Sequence, residues 1–245
     1  SLIKHTFDRH ITPNFTSKNY TTLLNAQYYE DVFPFIGRAA YSVNSLDELE
    51  EFEAILKKIR GVNIKRALLN QYNSAECTYD QGTDTLLSCI GIQCVLEMTP
   101  HNFLERVMRI GKEYDLPVTF LGFKEVGKGK AYAPPFPLNV DVFTTIFSSD
   151  IAKDRISGGQ LSFDTKALQL FGSAFDKIFT DKKPISETMY ITEGSFSWYI
   201  DAVSKTCAPS SYSDKKFTTS LGSIFDTDAL KSKYQRHQTM LGLRP

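Results

Sequence analysis

The chain has 245 residues, 42% of them hydrophobic, enough to bury one sizeable core, and a single domain over 1–245 is expected. Its 28 Lys and Arg balance its 28 Asp and Glu, so it lacks the basic footprint that draws proteins to nucleic acid or to an anionic membrane surface. No apolar run approaches the roughly 20 residues of a membrane-spanning helix, and the opening SLIKHTFDRH has no signal-peptide core, so the expected setting is cytoplasmic, with neither nucleic acid nor membrane as partner.

Residues 39–43 read as a short buried strand. A helix follows at about 45–60: Ser45 and Glu48 are spaced as a capping box, Leu46, Leu49, Phe52, Leu56 and Ile59 recur at helical spacing, and Gly61 ends it. Acidic Asp47, Glu48, Glu50 and Glu51 near its start and basic Lys57, Lys58 and Arg60 near its end complement the helix dipole. Residues 63–69 read as the next strand. The pattern then repeats with a strand at 92–98, Thr99 as N-cap, Pro100 at the first helical position, and Phe103, Val107, Ile110 and Tyr114 along one helix face. A strand at 118–123 follows. A third unit runs from a strand at 160–163 through Asp164 as a cap into a helix whose Leu168, Phe171, Phe175 and Ile178 point inward. Strands alternating with helices imply parallel pairing and an α/β class.

Two regions break this rhythm. Segment 124–158, with Gly127, Gly129, Pro134, Pro135 and Pro137, reads as a loop, and the tail after about 186 reads as an extension, 187–245, to a core at 1–186. Within 195–203, Phe196, Trp198, Ile200 and Ala202 alternate with polar residues after a Glu193-Gly194 turn, which predicts an antiparallel hairpin. A short helix from about Asp228, carrying Leu230, Tyr234 and Met240, closes the chain.

Cys77, Cys89, Cys94 and Cys207 are too few and too unevenly spaced for a disulfide framework and form no Cys-x-x-Cys, so reduced, buried thiols are expected. His5, His10, His101 and His237 show no zinc-binding spacing, and there is no Gly-x-Ser-x-Gly elbow. No metal site and no catalytic residue are assigned. Ligands of parallel α/β sheets bind beyond the carboxyl ends of the strands, which here draws attention to Asn14, Ser42, Asn44, Asn70, Glu97, Lys124 and Glu125. Asn14, Ser42 and Asn44 carry groups that could hydrogen-bond a ribose or an amino acid, and they equally suit turns and caps. The run from Lys124 to Lys130 could cradle a phosphate or carboxylate through backbone N–H groups, or be a basic loop.

Segments 38–44 (RAAYSVN), 118–130 (VTFLGFKEVGKGK), 193–203 (EGSFSWYIDAV) and 207–212 (CAPSSY) resemble the later strands and tail of radical S-adenosylmethionine proteins. The resemblance implies a partial parallel β/α barrel, incomplete and TIM-like, with a C-terminal antiparallel hairpin and helix. It implies S-adenosylmethionine and a [4Fe–4S] cluster as cofactors, and reductive cleavage to a 5′-deoxyadenosyl radical. It implies that Asn14 stands at the polar end of the family's third strand, and that Ser42 and Asn44 on the fourth touch the ribose or methionine part of the cofactor. Gly122, with Leu121 and Phe123, would border the adenine, and Lys124 with Gly127 to Gly129 resembles the Lys-x-x-Gly-Arg-Gly that follows, with Lys128 replacing arginine.

The chain departs from the family in lacking Cys-x-x-x-Cys-x-x-Cys and the Gly-Gly-Glu of the second strand, and in carrying an extra strand-like segment at 63–70. The cluster ligands are therefore absent from this chain. On this resemblance it begins near the third strand, which implies an N-terminal segment or a protein partner covering an exposed sheet edge. The expected function is a radical S-adenosylmethionine-type enzyme, or a fragment of one, with unassigned substrate. The alternatives are a non-catalytic binding or assembly subunit on a degenerate barrel, and a different α/β-barrel enzyme using Lys124 and Glu97.

Overall fold

Apolar and polar side chains alternate along the strands that organise the larger part of the chain. In this computed structural model, residues 2–8, 12–69, 79–125, 131–178, 199–201, 206–208, 219–220, 232 and 235 are described. The chain divides into two compact units, Ser1–Phe123 with Pro134–Ala167, and Lys124–Ala133 with Leu168–Pro245. The strands of the first unit are β1 (Asn14–Ser17), β2 (Arg38–Ser42), β3 (Asn63–Leu69), β4 (Tyr79–Thr85), β5 (Ile90–Val95), β6 (Val118–Leu121) and β7 (Leu161–Phe163). Five of them form an open parallel sheet in the order β1-β2-β5-β6-β7, while β3 and β4 make a separate antiparallel pair.

Because the parallel strands follow one another in chain order, every crossover steps in the same direction, and crossovers of one hand then lie on one face. The helices are α1 (Leu2–Phe7), α2 (Ala26–Asp31), α3 (Leu46–Ile59), α4 (His101–Glu113), α5 (Val140–Phe147), α6 (Asp150–Ser157) and α7 (Thr165–Ile178). Tyr41 of β2 meets Phe52 of α3 with ring centroids 5.9 Å apart; Phe120 of β6 meets Phe147 of α5 at 5.2 Å, and Phe163 of β7 meets Phe143 of α5 at 5.8 Å. Each such pair contributes about 0.5–1.5 kcal/mol beyond burial. Arg106 of α4 bridges to Glu50 of α3 at 2.9 Å, so these helices lie side by side. Gly111 lets α4 close on β6, since a Cβ there would stand 2.7 Å from Cγ2 of Val118.

Strand register sorts the side chains. Ser17, Tyr41, Ile92, Val118 and Leu161 are successive partners across the sheet, and the next row is Ser42, Gln93, Thr119 and Ser162. Tyr41, Ile92, Val118 and Leu161 are buried on the helix side, whereas Ser42, Gln93, Thr119 and Ser162 are not fully buried.

Several expectations need correction. The segment 63–69 is a strand but pairs antiparallel with β4, from Asn63↔Thr85 to Leu69↔Tyr79, and takes no place in the parallel sheet. The polar run YDQGTDT of β4 has too little strand-forming character to be legible in advance. The strand expected at 92–98 runs Ile90–Val95, because Glu97 adopts φ 66 and turns the chain away. Pro100, with ψ 151, is the N-cap of α4, while the Thr99 hydroxyl turns back to donate to the Val95 carbonyl at 3.4 Å. The loop expected over 124–158 contains α5 and α6, started by Asn139 Oδ1 accepting from Val142 N at 2.8 Å and Ser149 Oγ accepting from Ala152 N at 3.4 Å.

The second unit holds α7 from Leu168 onward, with Phe171, Phe175 and Ile178 buried. It also holds β8 (Tyr199–Asp201), β9 (Thr206–Ala208) and β10 (Thr219–Ser220), an antiparallel sheet in the order β10-β9-β8. The antiparallel tail is therefore a three-stranded sheet. The expected Glu193-Gly194 turn lies outside the described residues, as do Leu230, Tyr234 and Met240 of the expected last helix.

The cap of α3 is modified from the expected box: Ser45 Oγ accepts from Glu48 N at 3.2 Å, but the Glu48 carboxylate accepts from Asn44 N at 2.8 Å. Ser45→Ala leaves the Glu48 N–H without its cap and is expected to lower stability by about 1 kcal/mol, read as a shift of the urea midpoint with an unchanged slope.

Candidate functional site: the polar face of the parallel sheet

Parallel sheets are ordinarily covered on both faces, and their strands then read as continuous apolar runs. Here the face opposite the helices carries Asn14, Thr16, Arg38, Ala40, Ser42, Gly91, Gln93, Thr119 and Ser162, with the apolar pair Val95 and Leu121 at its carboxyl end. Its polar groups bond to one another across strands. The Thr16 hydroxyl reaches over β2 to donate to Gln93 Oε1 at 3.0 Å, which the small Ala40 and Gly91 between them permit. Thr119 and Ser162 share a hydroxyl contact of 2.9 Å. Among the described residues the Ser42 hydroxyl, the Asn44 and Gln93 amide N–H groups and the Arg38 guanidinium make no hydrogen bond. Unmatched donors on one face are what a small polar ligand needs for orientation.

The residues singled out from sequence are spread unevenly over this surface. Ser42 ends β2 and Asn44 lies two residues beyond it, so these two meet at the carboxyl end of the sheet; Asn44 Oδ1 accepts from Val95 N at 3.4 Å, tying that end to β5. Asn14 is not beyond its strand: it opens β1, paired with Arg38 at the amino end. Gly122 follows β6, and its N–H is already taken by Asp164 Oδ1 at 2.9 Å, which also accepts from Ala167 N at 2.8 Å. Gly122 thus serves close packing, and Asp164 pins the end of β6 to the start of α7. Glu97, past β5, holds its left-handed φ of 66 while its carbonyl accepts from Phe136 N at 3.0 Å. Lys124 and Glu125 belong to the second unit. Asn70 and Gly127 to Gly129 lie outside the described residues.

Thr16, Arg38, Gln93, Thr119 and Ser162 were not singled out from sequence. Their signal was present as polar residues at period two inside strands that otherwise read as buried.

The cluster implied by the resemblance does not fit the residues present. Among the described residues no three of His, Cys, Asp and Glu are grouped so as to hold a metal ion. Cys89 and Cys94 are buried free thiols. Burial pushes the Cys94 thiol far up; at Cys89 burial also dominates, against the lowering influence of Ser88 and of Arg66, whose guanidinium donates to the Cys89 sulfur. Thiols held protonated in this way are poor metal ligands. Compared with known proteins, the chain matches no family model, no curated protein and no solved structure.

A Cβ at Gly122 would stand 2.6 Å from Ala167 N and 2.7 Å from the carbonyl carbon of Lys166. Gly122→Ala is therefore expected to destabilise the first unit by about 1–3 kcal/mol through overpacking, measured by denaturant unfolding, while the chain still folds.

Proposed function

We propose that the chain is a radical S-adenosylmethionine-type enzyme, or the later-strand portion of one, with its cluster-binding segment outside this chain. The five parallel strands are then part of an incomplete β/α barrel whose lumen is the polar face. The observation that carries the reading is the combination of sequential strand order with a polar face opposite the helices. One-directional winding sends the helices to one side and leaves the other for a ligand. The resemblance of 38–44 and 118–130 to the family's later strands gives the ligand its identity.

In this reading the Ser42 hydroxyl and the Asn44 amide, both with donors to spare at the carboxyl end of β2, hydrogen-bond the ribose or amino-acid part of S-adenosylmethionine. When bound, the cluster would supply the electron that cleaves the cofactor, and its ligands are not among the residues of this chain.

Anaerobic reconstitution of the full-length natural gene product tests the proposal. Bound iron with acid-labile sulfide, and 5′-deoxyadenosine formed from S-adenosylmethionine under reduction, are the expected results. Absence of both overturns it in favour of a binding or assembly subunit on a degenerate barrel, the reading that the missing cysteine triplet favours.

A further inference from the structure

Among the described strand residues, the polar face carries its formal charge in one side chain. Among the strand residues that share it, Arg38 is the only charged one, and none is acidic. Arg38 is exposed and makes no ion pair or hydrogen bond among the described residues. Its stem does not extend past the strand end. A Cβ on Gly91, which lies on β5 opposite Ala40, would stand 3.2 Å from Arg38 Cδ, so the side chain lies across the sheet over a floor of Gly91. Asn14, Phe15, Thr16, Gly37, Arg38 and Ala40 line a shallow depression of about 580 Å³ there, within the range of small-molecule sites.

We propose that this half of the polar face binds a small monocarboxylate, with the Arg38 guanidinium gripping both carboxylate oxygens and the Gln93 amide donating beside it. The inference rests on the polar face being a ligand surface, as above, but not on the cofactor. The donor set favours a carboxylate for three reasons. The guanidinium fork matches the two oxygens of a carboxylate. Thr16 donates to Gln93 Oε1, which directs the remaining capacity of that amide, two N–H groups, toward an acceptor. A phosphate carries close to two negative charges at neutral pH, and among the described strand residues of this face there is no second cation to meet it.

Titration of the ¹⁵N-labelled full chain at constant ionic strength with sodium acetate, acetamide or inorganic phosphate tests this, read at the Arg38 Nε–H and the Gln93 side-chain amide. Acetate is expected to shift both saturably, acetamide neither, and phosphate to bind more weakly than acetate. Arg38→Gln is expected to weaken acetate binding by about tenfold or more, and Arg38→Lys, which keeps the charge without the fork, by about threefold or more. The lysine variant carries the comparison if the glutamine variant does not fold. No saturation by acetate, affinity undiminished in the variants, or tighter binding of phosphate overturns the proposal. The titration requires neither cluster nor S-adenosylmethionine, so its failure and that of the cofactor reading are separately visible.

Discussion

Slide one strand of the parallel sheet by a single residue against its neighbour, and the pairing of Tyr41 with Ile92 and of Ser42 with Gln93 is lost. A slip of that kind sends the core set of a strand to the other face. Phe120, locked between Phe147 at 5.2 Å and Phe163 at 5.6 Å, would leave the aromatic cluster. Exposing a side chain of that size costs about 1.5–3 kcal/mol, and turning Gln93 or Thr119 into the helix layer would add about 1–3 kcal/mol for each polar group left unmatched. Register is thus heavily determined, and the polar face follows from it.

The rest of the first unit adapts to that division. Gly111 and Gly122 sit where helices close on the sheet, and Arg155, buried with its guanidinium donating to the Leu116 and Gln160 carbonyls, joins the turns that lead into β6 and β7. Gly111 and Arg155 thus act at the amino ends of the strands, while Gly122 with Asp164, and Asn44, act at the carboxyl ends. Between these ends Thr16, Gln93, Thr119 and Ser162 hydrogen-bond in pairs across the strands, and the polar face they form is the surface proposed to take a ligand.

Local signals were legible where a side chain acts on its own backbone. Ser45 and Asp164 could be read as caps because capping depends on neighbours in sequence, and the helix at 46–59 follows from its apolar spacing. What escaped depends on partners distant in sequence. Residues 63–69 look like any strand following a helix, and only their pairing with 79–85 removes them from the parallel sheet. Asn14 reads as a strand-end residue until its pairing with Arg38 places it at the start. Prolines between 134 and 137 concealed α5 and α6, although Asn139 and Ser149 signalled both starts. The side chains of the polar face escaped for a related reason: an isolated Gln93 or Thr119 in an apolar strand carries no label saying which face it is on.

The proposed ligand surface has donors at both ends of the strands, with Arg38 near the amino end and Ser42 and Asn44 near the carboxyl end, and a ligand reaching both would lie along the strand direction. All of this depends on the polar face being accessible while the other is sealed by helices. Single cysteines introduced as Thr16→Cys, Ser162→Cys and Val118→Cys and treated with a water-soluble maleimide test that directly, with modification at each site followed by peptide mass spectrometry. The account predicts rapid labelling at 16 and 162 and protection at 118 until the chain is unfolded; protection of 16 and 162 as strong as that of 118 would contradict it.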